Sequence, residues 1–172
     1  MCCIIYKPKG VQMPSLDTLA KIKKLNHNGY GFVSTNHFHK GLDYRTFLRH
    51  LSEVGDDEDC ILHFRLATNG SICRANCHPF VENDVYFAHN GVLNVYPVGD
   101  MTDSEIAFRT MVYPAIKRYG YGSQEVYRLI NSFIGYSRFA LMYRGEVRLY
   151  GDYTKINGVY YSNNSSLTIS LA

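Results

Sequence analysis

Cys2 is the first residue of the chain that could do chemistry. Loss of Met1 would leave one residue carrying a thiol and a free α-amine, and an amine with an ordinary pKa of about 7.7 to 8.0 can take the thiol proton near neutral pH. Nucleophile and base would then sit together, with no His or Asp required. Taken alone, a buried cysteine on a first strand is the plainer reading, so the rest of the chain must supply a pocket. Three polar clusters offer one: His63-Phe64-Arg65-Leu66-Ala67-Thr68-Asn69-Gly70, Asn76-Cys77-His78-Pro79-Phe80 and Ala88-His89-Asn90-Gly91. Arg65 has a planar fork suited to a carboxylate, and Asp103, at the start of an expected helix, an acceptor suited to an ammonium. Together they could grip the α-carbon end of an amino acid. The Asn90 amide and the Gly91 N–H are donors of the kind that stabilise a tetrahedral oxyanion, and glycine lets the main chain approach closely. Plainer chemistry suits other residues. His63 and His89 are expected to make structural hydrogen bonds. Cys73, Cys77 and His78, with Cys60 or His63, could begin a zinc site, but adjacent Cys77 and His78 would ligate awkwardly, and a Cys73 to Cys77 disulfide is weaker still.

Composition bounds the setting. A chain of 172 residues is most simply one domain, able to bury about 70% of the surface its unfolded form exposes. Eighteen Lys and Arg against fifteen Asp and Glu leave a net charge of +3 that is spread along the chain, which argues against nucleic acid as a partner. No apolar run approaches the ~18 residues of a membrane span. Lys7, Pro8, Lys9 and Gly10 interrupt the apolar start, as a secretory signal would not, and five cysteines, an odd number with two adjacent, fit reduced thiols in the cytoplasm.

These groups need elements to position them. Cys2 to Lys7 reads as a strand with Cys2, Ile4 and Tyr6 on one face and Cys3 and Ile5 on the other, so Cys3 points away from any pocket Cys2 faces. Ser15 can cap a helix to about Leu25 with Leu16, Leu19, Ile22 and Leu25 as its apolar stripe. Tyr30, Phe32 and Val33 form a second strand ending near His37 to Gly41, where a hairpin would turn. Asp43 opens a helix with Phe47, Leu48, Leu51 and Val54 inward and Gly55 as its stop. Asp56 to Asp59 read as a solvated connection, Cys60 to Ala67 as a buried strand, Asn69 to Pro79 as an irregular loop, and Val85 to Ala88 as a strand leading into His89-Asn90-Gly91. Thr102-Asp103-Ser104-Glu105 is a capping box, starting a helix that continues through Ile106, Phe108, Met111 and Val112 towards Arg118. Another helix spans about Gln124 to Ile134, with Val126, Leu129, Ile130 and Phe133 as its apolar residues. Arg138 to Tyr143, Val147 to Tyr150, Val159 to Tyr161 and Leu167 to Leu171 then read as antiparallel strands around a turn at Arg144-Gly145. Tyrosines of the last third should cover half-buried strands, with Arg138, Arg144 and Arg148 facing solvent. The sum is an α+β layered domain.

These motifs, in this order, resemble the class II glutamine amidotransferases, N-terminal nucleophile hydrolases that begin Met-Cys and carry His-x-Arg-x-Ala-Thr-x-Gly, Asn-x-His-Pro, His-Asn-Gly and Asp-Ser/Thr-Glu. The likeness runs from Cys2 to Glu105. It implies a four-layer αββα sandwich of antiparallel sheets, Cys2 as nucleophile, Asn90 and Gly91 as oxyanion hole, Arg65 and Asp103 on the α-carboxylate and α-ammonium of glutamine, and Thr68 and His78 lining the pocket. No metal or organic cofactor is implied. The expected reaction is release of ammonia from L-glutamine through a γ-glutamyl thioester, with the ammonia passed to a separate synthetase, since no fused synthetase domain is expected within residues 1–172. A stand-alone hydrolase of γ-glutamyl amides and a catalytically silent binding protein are the alternatives. Cys3 in place of Gly, Asn28 in place of Asp and Asn69 in place of His depart from the usual pattern.

Overall fold

The structure, a computed structural model, describes residues 1–68, 70–96, 98–99, 101–163 and 165. Asn69 and the strand expected at Leu167 to Leu171 lie outside them. Two antiparallel sheets form the centre. The larger has strand order β3-β2-β4-β1-β10-β9, from β1 (Cys3–Lys7), β2 (Tyr30–Ser34), β3 (Phe38–Gly41), β4 (Cys60–Phe64), β9 (Thr154–Ile156) and β10 (Val159–Tyr161). The smaller has order β5-β6-β7-β8, from β5 (Phe80–Glu82), β6 (Val85–Asn90), β7 (Arg138–Tyr143) and β8 (Glu146–Tyr150).

Strand alternation explains the layering. Ile4 of β1, Val33 of β2 and Ile61 of β4 meet Ala88 of β6 with Ala140 and Met142 of β7 between the sheets. Their strand neighbours point outward: Cys3, Ile5, Phe32, Leu62 and Phe64 pack against Leu19 and Ile22 of α1 (Leu16–Leu25) and Phe47 and Leu51 of α2 (Tyr44–Leu51). On the other side Phe87, Phe139 and Leu141 pack against the helices α3 (Asp103–Ala107), α4 (Tyr113–Tyr119) and α5 (Gln124–Phe133). Strands covered on both faces can be apolar without a break, which is why every residue of β4 is buried. The result is the expected αββα sandwich.

Local chemistry sets the element ends. The side chains of Ser15, Asp43, Thr102 and Ser123 each accept from the backbone N–H three residues on, capping α1, α2, α3 and α5. The reciprocal half of the capping box is diverted, because Glu105 accepts from Arg109 Nε at 2.9 Å. Between α3 and α4 the helix widens into a π turn over Phe108–Val112, immediately before Pro114. Proline cannot donate a helical hydrogen bond and its ring crowds the carbonyl four residues back, so a wider turn relieves both.

Several expectations need correcting. Leu16 and Leu25 are 68% and 45% exposed, because residues spaced by three drift steadily around a helix and only Leu19 and Ile22 stay inward. The β2 hairpin turns over residues 35–37, leaving Phe38–Gly41 as a strand of its own, and β5 and β9 are additional strands. β4 ends at Phe64, since the Ala67 N–H takes the Asn28 Oδ1 at 3.0 Å in place of a strand carbonyl. The acidic connection is not all solvated. Glu58 is buried and accepts from Ser34 Oγ at 2.7 Å and from the N–H groups of Asn36 and Gly55, both at 3.0 Å. Beneath it the buried Lys7 ammonium donates to the carbonyls of Gly55, Asp56 and Glu58. Arg148 is half-buried, its guanidinium 5.7 Å from the Tyr121 ring centre. No helix among the described residues is long and apolar enough to cross a membrane.

Candidate active site

The strand register brings the chemical groups to one end of the sandwich. Cys3 pairs with Phe64, so Cys2 and Arg65 leave the sheet side by side, while β1 packs across the sandwich onto β6, which ends at Asn90. A cleft there is lined by Cys2, Arg65, Leu66, Thr68, Asn76, His78, His89, Gly91, Asp103 and Ser104, among others. Six of the seven expected site residues therefore share it, and they come from five separate stretches of chain. The seventh, Asn90, is buried beside the cleft, with Nδ2 3.0 Å from Ser162 Oγ.

The Cys2 sulfur meets the backbone of Leu66, which donates from its N–H at 3.3 Å and offers its carbonyl at 3.4 Å. Burial raises the Cys2 pKa, opposed by the Leu66 hydrogen bond, the terminal ammonium and Arg65, so the thiol is protonated at neutral pH. Cys3 faces the helices, its thiol pushed up to about 12 by burial. Arg65 is 4% exposed and its Nη1 donates to the Ser71 carbonyl at 2.9 Å, with Asn76 Nδ2 on the same oxygen at 3.0 Å. Asp103 is held as well: its two carboxylate oxygens accept from the N–H groups of Leu93 and Ser104, both at 2.9 Å. A cation and an anion thus line one cleft. Gly91 is required where it stands, because φ is +141° and a Cβ would lie 2.2 Å from Ser137 Oγ.

Three histidines sit behind this surface. His63 donates from Nε2 to the His89 carbonyl at 3.0 Å, a bond whose direction is fixed because a carbonyl only accepts. Its ring lies 4.2 Å from that of His78, and His89 Nδ1 contacts Ser104 Oγ at 2.7 Å. Burial lowers the pKa of all three: His63 to about 3, His89 to about 4 despite the favourable charge of Asp103, and His78 well below the ordinary value. The structural role expected for His63 and His89 fits these bonds. Among the described residues no group of three or more His, Cys, Asp or Glu could hold a metal, and the five cysteines are free.

Ser162, Ser104, Ser71 and Asn28 all hold parts of this site and were not singled out as such from sequence. Ser104 lies inside the Asp-Ser-Glu motif, a signal that could have marked it. Ser162, which accepts from Ile4 N–H at 2.8 Å as well as touching Asn90, follows β10 in a stretch with no motif. The cleft itself is narrow, about 30 Å³, and a larger hollow of about 580 Å³ beside Met13 and Tyr161 has no cysteine in its lining.

Comparison with known proteins agrees with this architecture. The family model described as glutamine amidotransferases class-II matches residues 53–135, a span holding Arg65, Asn90 and Asp103 but not Cys2. Among solved structures, that of the allosteric regulatory enzyme of purine biosynthesis superposes with a TM-score of 0.64 at 19% identity, over 98% of this chain. The chain spans 43% of that structure's length. No curated protein matches closely enough to be counted a relative. Residues 53–135 are therefore similar to the class II glutamine amidotransferases, and the chain as a whole shares the layered fold of that purine-biosynthesis enzyme.

Proposed function

We propose that the chain is a glutaminase that releases ammonia from L-glutamine through Cys2 and hands it to a separate synthetase. The observation that carries this reading is the convergence of the Cys2 thiol, the Arg65 guanidinium and the Asp103 carboxylate on one cleft. Arg65 takes the α-carboxylate and Asp103 the α-ammonium, which leaves the side-chain amide directed at the sulfur. Since the cleft has room for about one water, glutamine enters by displacing the Ser71 carbonyl from Arg65 and moving the loop behind it.

The thiol needs a base because burial keeps it protonated. His78 and His89 line the cleft but are poor bases, their affinity for protons lowered by burial. The α-amine exposed by removal of Met1 serves instead. It takes the thiol proton as sulfur adds to the amide carbon, then returns it to the nitrogen so that ammonia leaves. Water attacks the resulting γ-glutamyl thioester, the amine accepts its proton, and glutamate departs as the thiol is restored. The Gly91 N–H and the Asn90 amide hold the oxyanion in both additions. Hydrogen-bond accounting supports Asn90 in that role. With Nδ2 on Ser162, the Asn90 Oδ1 is buried without a partner while Ser162 Oγ already accepts from Ile4. Turning the amide over lets the Ser162 hydroxyl donate to Oδ1 and leaves Nδ2 as the open donor.

The test is incubation of the purified protein with glutamine, following glutamate and ammonia, together with intact mass. Expected are loss of Met1, turnover, and its abolition in Cys2→Ala. Turnover unaffected by Cys2→Ala would overturn the mechanism.

A further inference from the structure

A second cluster of ionisable groups lies away from the cleft, where β3 meets the last turn of α2. The His39 and His50 rings stack there with centroids 4.5 Å apart and 24° between their planes. Exposed Arg49 and Arg74 stand close by, and with His50 they disfavour a proton on His39, burial being the larger cause. Arg74 is held in place by donation from Nε to the Lys40 carbonyl at 3.1 Å. Lys40 turns its ammonium away, onto the carbonyls of Ala75 and Cys77 at 3.0 and 2.8 Å. Nearby acids are few. Asp43 is committed to capping α2 and lies next to Arg45, and Glu53 approaches His50 Nδ1 at 3.7 Å.

Two guanidiniums and two imidazoles thus share a small area with two carboxylates at its edge, Asp43 and Glu53. A proton on His39 is disfavoured beside His50 and the two guanidiniums unless a multivalent anion lies across them. Stacked imidazoles present N–H donors side by side, suited to two phosphoryl oxygens, and guanidiniums add planar forks to further oxygens. We propose that His39, His50, Arg49 and Arg74 form a binding site for a small phosphate-class polyanion of the diphosphate type, separate from the cleft. The bound anion favours the charged imidazoles, so binding takes up protons and tightens as pH falls through the ordinary histidine range.

Inorganic pyrophosphate is the probe, titrated into the full chain while the ring resonances of the histidines are followed by NMR at about pH 6 and about pH 8. Expected are saturable shifts at His39 and His50, affinity about tenfold higher at the lower pH, and loss of about tenfold in an Arg49→Gln, Arg74→Gln variant whose melting is unchanged. Arg49→Gln alone serves if the double variant melts early. Absence of saturable shifts at His39 and His50, equal affinity at both pH values, or undiminished affinity in the Arg49→Gln variant would each overturn the proposal.

Discussion

Burying three neutral histidines should make this protein unusually sensitive to mild acid. His63, His78 and His89 have folded-state pKa values well below the ordinary 6.5, so below pH 6.5 the unfolded chain binds protons that the folded chain refuses. Their contribution is intact above the unfolded pKa and is lost as pH falls beneath it, continuing down towards the folded values. At about pH 5.5 the penalty is roughly 1 to 2 kcal/mol for each residue, or roughly 4 kcal/mol for the three, against a total stability of about 5 to 15 kcal/mol. For a domain of this size that corresponds to a fall in Tm of about 8 to 16 °C from its value near pH 7.5. The window isolates the histidines from Glu58, whose carboxyl is raised by burial but more strongly lowered by its hydrogen bonds, to about 2 from an ordinary 4.5, so that its loss begins only below pH 4.5. Half-exposed His39 adds a smaller amount, reduced by solvent screening. The assay is urea unfolding followed by circular dichroism at steps between about pH 7.5 and pH 5, where the slope should approach about 4 kcal/mol per pH unit, that of three protons. In His78→Asn the slope should fall to that of two. An unfolding free energy that moves by less than about 1 kcal/mol over this range would refute the reasoning.

Three other outcomes follow from particular contacts. Gly91→Ala should lower stability by roughly 1 to 3 kcal/mol, since its Cβ would meet Ser137 at both the hydroxyl and the main chain, and should cost glutaminase turnover as well; a variant that melts like the parent would contradict the geometry. Glu58→Gln should lose about 1 to 3 kcal/mol in urea unfolding, because an amide NH₂ must face donors where a carboxylate accepted from Ser34, Asn36 and Gly55, and wild-type stability would show those bonds to be idle. Iodoacetamide near neutral pH should label Cys73 before Cys2, as read by peptide mass mapping. Hydrogen bonds from Ser71 and the Asn76 and Ala75 backbone lower the half-buried Cys73 thiol, whereas burial raises that of Cys2, and the reverse order would refute this assignment. Active-site labelling is therefore best done in Cys73→Ser.

What could be read from the chain depended on how local each feature was. The helix starts at Ser15, Asp43 and Thr102 were legible because a cap is a contact between residues three apart, and the outward turn of Cys3 because strand alternation needs only its neighbours. The ends of β2 and β4 were not, since the first depends on the register of β2 with β3 and the second on Asn28 reaching from a different segment. Glu58 read as a solvent residue because nothing near it in sequence announces Lys7 or Ser34. The site divides along the same line. Arg65, Asp103 and Gly91 stood out because each belongs to a polar cluster at the end of an apolar strand or the start of a helix, where side chains escape the core. Ser162 could not stand out, since its work consists of joining β1 to Asn90 across a sequence separation of more than seventy residues. In the mechanism proposed above, that serine decides which way the Asn90 amide faces, and with it whether the oxyanion has one donor or two. Ser162→Ala therefore puts the most information into one substitution. It removes the partner that orients Asn90 while leaving Cys2, Arg65 and Asp103 in place, so kcat should fall by roughly ten- to a hundredfold with KM for glutamine little changed. A rise in KM with kcat preserved would place Asn90 among the binding groups and leave the oxyanion to the Gly91 N–H alone.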